Sequence, residues 1–152
     1  MILKKSDVKV GRDGGREWLH YSDGGGISQF GLYVETLPPG GTTSERHWHE
    51  KEDEMVYVIS GELTVIEDDG PKVLRAGDAG VWAAGKPVAH LAENRSAAPC
   101  QYVVVGSRVT HDVCHYPDTG RRLFTEGEDW RIEARDGTVE RSGKCKSPPG
   151  RD

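Results

Sequence analysis

The chain has no basic run longer than two residues, and its 20 Lys+Arg are outnumbered by 25 Asp+Glu, for a formal net charge of −5. A phosphate backbone is bound through clustered Lys and Arg that release counterions, so nucleic acid is not an expected partner. Long apolar stretches are missing too. The longest uninterrupted run, Met55 to Ile59, falls far short of the roughly 20 residues that cross a bilayer, which sets a membrane aside. The start, MILKKSDVKV, puts charges directly behind two apolar residues and leaves no room for the core of a secretory signal, so the cytoplasm is the expected compartment. Cysteine is scarce: Cys100, Cys114 and Cys145 lie 14 and 31 residues apart, which fits neither a CxxC knuckle nor a closed disulfide framework. Reduced thiols are expected. Apolar residues at spacings of 3, 4 and 7 are absent from any useful window, so helix is expected only in short pieces.

What the sequence does have is punctuation. Its 20 Gly and 8 Pro separate short runs of β-branched and aromatic residues, the pattern of an all-β domain. Strands are expected near Phe30 to Leu37, Arg46 to Glu50, Met55 to Ser60, Glu62 to Glu67, Lys72 to Leu74, Ala79 to Ala83, His90 to Asn94 and Tyr102 to Ser107. Turn residues such as Pro38-Pro39-Gly40-Gly41, Ser60-Gly61 and Asp68-Asp69-Gly70-Pro71 separate them. About eight short strands suggest a sandwich or barrel. Residues 1–25 read as an N-terminal arm, 26–125 as the barrel, and 126–152 as a terminal hairpin, turning at Asp136-Gly137, followed by a tail.

Chemistry concentrates in GTTSERHWHEKEDEMVYVISG, Gly41 to Gly61. His47 and His49 are two apart, so on a strand they project from one face about 6.5 to 7 Å apart and can converge on a single point. Glu54 follows a charged turn, and a tight connection returns its carboxylate beside the two rings; Asp53 replaces it if the turn is one residue tighter. Two nitrogens and one oxygen form a facial set that divalent first-row metals accept while leaving positions open. His90, from a separate segment, is the fourth candidate. Val56 and Val58 share the parity of Glu54 and would give the pocket an apolar floor, whereas Arg46 and Trp48 point to the opposite face, toward packing or a dimer contact. Tyr33, Glu35, Glu45 and Tyr102 are possible proton donors or acceptors. His20, His111, His115, Asp112 and Asp118 read as surface or loop residues.

From Gly41 the order is glycine, five residues, His47, one, His49, four, Glu54, six, Gly61. This resembles the first signature motif of the cupin superfamily without a deviation in spacing. Gly77, Gly85, His90 and Asn94 follow in the order of the second motif, with Ala83 where proline is usual and four residues rather than two between Gly85 and His90. The strings Arg46-His47-Trp48-His49 and Glu52-Asp53-Glu54 are similar to those of a group of small single-domain cupins, some of them labelled sugar-phosphate isomerases.

The resemblance implies a jelly-roll β-barrel, the double-stranded β-helix, commonly a homodimer. It also implies one divalent transition metal, with Mn, Fe, Ni and Zn equally open, held by His47, His49, Glu54 and His90. It further implies an enzyme on a small polar metabolite such as a sugar or sugar phosphate, working by isomerase-type proton transfer. An iron-dependent dioxygenase and a non-catalytic binding or sensing module use the same framework. A phosphorylated sugar needs an inward cation, for which Lys86, Arg75 and Arg108 are the candidates if their loops fold over the mouth.

Overall fold

The computed structural model describes residues 1–144. Among them are fourteen strands: β1 Val10–Asp13, β2 Arg16–His20, β3 Phe30–Leu37, β4 Trp48–His49, β5 Glu54–Ser60, β6 Glu62–Glu67, β7 Gly70–Arg75, β8 Ala79–Trp82, β9 Leu91–Glu93, β10 Cys100–Ser107, β11 His111–Tyr116, β12 Arg121–Glu126, β13 Asp129–Glu133 and β14 Val139–Lys144. Helix is confined to Tyr21–Gly24 and a single 3-10 turn at Lys5–Asp7. No helix among the described residues is long and apolar enough to cross a membrane.

The strands assemble into three antiparallel sheets. One has six strands in the order β1-β2-β3-β10-β5-β8, one has five in the order β14-β13-β12-β11-β4, and one has three in the order β7-β6-β9. The long strand β10 is the spine of the first: it pairs with β3 from Cys100↔Leu37 to Ser107↔Phe30, and with β5 down to Gly106↔Glu54. This is the jelly-roll arrangement expected of an all-β chain in which few strands are left as open edges.

Alternation along β5 positions both core and site. Glu54, Val56 and Val58 are buried, while Tyr57 and Ile59 face outward. Val58 packs with Leu37, Tyr102 and Val104 of the six-stranded sheet against Leu63 and Val65 of β6 and Ala92 of β9. Full burial of an aliphatic side chain of this kind stabilises a fold by about 1.5–3 kcal/mol. The β5–β6 turn depends on Gly61, whose φ of +79° is left-handed and where an added Cβ would lie 2.7 Å from the Pro99 carbonyl oxygen. Asn94, at the end of the second motif, is 1% exposed and spends its side chain on architecture. Its amide donates to the carbonyls of Leu37 and Ala98, and its oxygen accepts from Ser96.

The expected strands Phe30–Leu37 and Glu62–Glu67 occur at those bounds. The segment Arg46 to Glu50 is shorter than expected, because only Trp48 and His49 pair with β11, and His90 and Asn94 flank β9 rather than belonging to it. Within residues 1–25, β1 and β2 form a hairpin whose second strand pairs with β3. The terminal hairpin turns at the expected Asp136-Gly137. Cys100 and Cys114 are buried free thiols, and burial pushes the Cys100 thiol up to about 11. Cys145 and the expected tail beyond it lie outside the described residues.

Candidate metal centre

Each sheet delivers part of one cluster. Glu54 opens β5 of the six-stranded sheet, His49 sits on β4 at the edge of the five-stranded sheet, and His90 immediately precedes β9 of the three-stranded sheet. His47 is joined to His90 by a reciprocal backbone pair, with N–H to O distances of 3.0 and 2.9 Å. That pair explains how the longer Gly85-to-His90 interval is accommodated. The Gly85 amide donates to the His49 carbonyl, the extra residues are taken up in the turn at Lys86 to Val88, and the backbone returns with His90 beside His47.

The geometry is centred on one oxygen. Glu54 Oε2 lies 3.2 Å from His90 Nε2, 3.4 Å from His47 Nε2 and 3.6 Å from His49 Nε2. All four residues are buried. Groupings of these residue types close enough to hold a metal include His47, Glu54 and His90, and also His47, His49 and Cys114.

The far nitrogen of each ring is engaged elsewhere. His47 Nδ1 lies 2.9 Å from the Glu45 carbonyl, His49 Nδ1 lies 2.5 Å from Asp112 Oδ2, and His90 Nδ1 lies 3.3 Å from the Val88 carbonyl. A carbonyl or carboxylate only accepts, so Nδ1 is the donor in His47 and His49 and each neutral ring keeps an Nε2 lone pair, whereas His90 has an acceptor beside each nitrogen, the Val88 carbonyl and Glu54 Oε2, and its proton can sit on either. The Nε2 lone pairs of His47 and His49 then face a carboxylate oxygen in a buried space, where acceptors opposed without a cation are costly. This donor set fits a divalent metal, and the tautomers set for His47 and His49 are those that imidazole ligands require.

Asp112 was read from the sequence as a surface or loop residue, and the structure corrects that. It is 7% exposed, accepts from the Lys51 amide at 2.9 Å through its other oxygen, and braces His49. Burial pushes its carboxyl up, but the His49 hydrogen bond and charge, with the amides of Lys51 and Val113, outweigh this and hold Asp112 below its ordinary range. The Trp82 ring stacks on His90 at 3.7 Å between centroids and anchors its own indole N–H on Glu67, fixing the His90 ring plane. Arg46 and Trp48 do point away: Arg46 pairs with Asp118 and Asp68, and Trp48 stacks on His115 at 4.2 Å.

A cavity of about 150 Å³ adjoins the cluster. His47, Glu54 and His90 wall one end of it, whereas His49 is not among the lining residues. Val56 and Val104 line it, and Arg16, Glu35 and Tyr102 wall it as well. Arg16 and Glu35 are therefore functional candidates on the cavity wall, and the expected cations are elsewhere. Arg75 pairs with Glu62, Arg108 with Asp23 and the Ile27 carbonyl, and Lys86 is exposed in its turn. The sequence signal for Arg16 was the alternation of Arg16, Trp18 and His20 on one face of β2, in a segment taken for an arm.

The family profile for the cupin domain matches residues 33–106. A crystal structure from Silicibacter pomeroyi, described as a sugar phosphate isomerase from a cupin superfamily, is similar at 35% identity and a TM-score of 0.78, with 82% of this chain and 79% of that chain covered. A provisionally named sugar phosphate isomerase from Acidithiobacillus ferrooxidans is similar at 26% identity and a TM-score of 0.77, covering 81% of this chain and 78% of that one. A predicted oxalate decarboxylase from Thermotoga maritima, at 22% identity and a TM-score of 0.60 over 70% of this chain and 98% of that chain, shares the fold. No curated protein sequence matches the chain.

Proposed function

The chain belongs to the cupin superfamily, and on that premise we propose that it is a metal-dependent enzyme acting on a small hydroxy-carbonyl metabolite of the sugar class by isomerase-type proton transfer. His47, His49, Glu54 and His90 would hold one divalent transition metal. The observation that carries this reading is the convergence of three Nε2 atoms on Glu54 Oε2 at 3.2 to 3.6 Å, with Nδ1 of His47 and His49 already committed as donors.

A bound metal of this kind supplies Lewis-acid polarisation of a carbonyl or hydroxyl oxygen. The protein's own residues supply the setting. Asp112 and the Glu45 carbonyl hold His49 and His47 in the Nδ1–H tautomer, the Val88 carbonyl sits beside His90 Nδ1, and Val56 and Val104 give the substrate a water-poor floor. The cavity volume, about 150 Å³, matches a small ligand: a cavity of roughly that size accepts benzene. The same reading takes the chain as a homodimer, supported by Tyr57, Ile59 and Val81, large apolar side chains exposed on strands of the six-stranded sheet.

The test begins with elemental analysis of protein purified without added metal, for the wild type and for His47→Ala with His49→Ala. Metal near one equivalent is expected in the wild type and none in the double variant, which should remain folded by circular dichroism. Undiminished metal in the variant would defeat the assignment. Deuterium uptake from D2O into free sugars, under nitrogen, then reads the reaction. Turnover that requires oxygen would refute the isomerase reading in favour of a dioxygenase.

A further inference from the structure

Glu35 and Tyr102 share the cavity with the cluster and have no part in holding it. They are cross-strand partners on β3 and β10, and Trp18 of β2 pairs with Glu35 on its other side. Glu54 is opposite Gly106, four residues further along β10, a separation of about 13 Å along the strand. The row of Tyr33, Val104 and Val56 lies between. The cavity therefore has a metal-ligand end, an apolar middle and a second polar end.

That second end is incomplete. Glu35 is 3% exposed and Tyr102 is fully buried, yet the Tyr102 hydroxyl has no well-formed hydrogen-bond partner and Glu35 Oε1 has only its ion pair with Arg16. The two interact with each other through charge and through a hydrogen bond too poorly aligned to satisfy either atom. Burial pushes the Glu35 carboxyl above its ordinary range, with Arg16 and Tyr102 only partly opposing it, so the site is ready for a group that can give or take a hydrogen bond. A buried polar atom left this way is anomalous, because native interiors satisfy nearly all of theirs.

Charge narrows what can complete it. Arg16 is the one basic side chain other than histidine on the cavity wall, and it is already matched: Nε lies 3.3 Å from Glu35 Oε1, Nη1 donates to the Thr43 carbonyl, and the guanidinium lies 4.9 Å over the Trp18 ring. An ionised phosphate brought to this end offers only acceptors and would oppose Glu35. A hydroxyl donates and accepts at once. It can give its proton to Glu35 Oε1 while accepting from the Tyr102 hydroxyl.

We propose that Glu35 and Tyr102, with Arg16 holding the carboxylate in place, form a recognition site for an uncharged hydroxyl at the end of the substrate remote from the metal, so that the cavity selects free polyols over their terminal phosphate esters. This rests on the metal-dependent reading above and deepens it, since it names the substrate class of the same site.

The experiment is calorimetry on the Mn(II)-loaded chain with three matched pairs: dihydroxyacetone, D-ribulose and D-fructose, each against its terminal phosphate ester. At least one free ketose is expected to bind tenfold or more tighter than its ester. Tyr102→Phe should weaken that ketose about tenfold, and Glu35→Gln should bring ketose and ester to within about threefold of each other, both variants retaining one Mn(II). Esters that bind as well as the ketoses, none of the six binding, or a ratio unmoved in Glu35→Gln would each overturn the inference. If Glu35→Gln fails to fold, the wild-type ratio and Tyr102→Phe decide it. Failure of the wild type to take up Mn(II) would defeat the metal reading itself, and is seen before any sugar is added.

Discussion

Asp112→Asn is the substitution in which the proposed centre is most exposed to refutation, because it leaves all four candidate ligands in place. The carboxylate accepts two hydrogen bonds, from His49 Nδ1 at 2.5 Å and from the Lys51 amide at 2.9 Å. An asparagine of the same size can accept only one of them; oriented toward the Lys51 amide, it turns its own NH2 toward the His49 N–H, donor against donor. The loss is one hydrogen bond to a charged group, about 1.5–3 kcal/mol, together with the charge that makes the opposite nitrogen more basic. Since about 1.4 kcal/mol is a factor of ten, metal affinity should fall by about 10- to 100-fold, the range typical of carboxylates that brace a ligating histidine. Competition titration with a chromophoric chelator measures it, with circular dichroism as the control for folding. Affinity within twofold of wild type would mean that His49 is not held for a metal.

Further outcomes are expected elsewhere. Leu63, fully buried in the core, should cost about 3 kcal/mol when changed to Ala, lowering Tm by roughly 6–12 °C in a scanning calorimeter. Glu35 carries a raised pKa, so the folded state binds its proton more tightly than the unfolded chain, and stability is lost as pH rises above its ordinary value of 4.5. Glu35→Gln should lack that loss; urea unfolding of both proteins from pH 4 to 8 should show the difference shifting toward the variant, and a pH-independent difference would refute it. Tyr57→Asp with Val81→Asp, on the exposed faces of β5 and β8, should convert the proposed dimer to a folded monomer, read by light scattering at dilute concentration, and a species that stays dimeric would refute the assignment of this face.

Legibility followed the range of the interactions. The alternation in Glu54 to Ser60 and the turn at Ser60-Gly61 are local, and from them β5, β6 and the inward face carrying Glu54 could be read directly. His47 and His49 were legible for the same reason, since two residues apart on an extended chain is a geometric statement. β11 escaped notice because the residues it buries are Asp112 and Cys114 rather than a row of aliphatics. β1 and β2 escaped because VGRD and REWLH are mostly half-exposed and carry weak apolar alternation.

Local sequence was enough to show which residue types could ligate, that His47 and His49 lie on one side of an extended segment, which face of β5 carries Glu54, and where the turns fall, because each of these depends on neighbours within a few residues. Only the tertiary structure decided that His90 returns to His47, that Asp112 reaches His49 across 63 residues of sequence, and that Arg16, Glu35 and Tyr102 close the far end of the cavity. The first joins segments beside two different sheets, and the others join strands brought side by side in one sheet, β11 with β4 and β2 with β3 and β10; the partners are chosen by strand pairing between distant segments and by the demand that buried polar groups find one another, neither of which leaves a periodic trace along the chain.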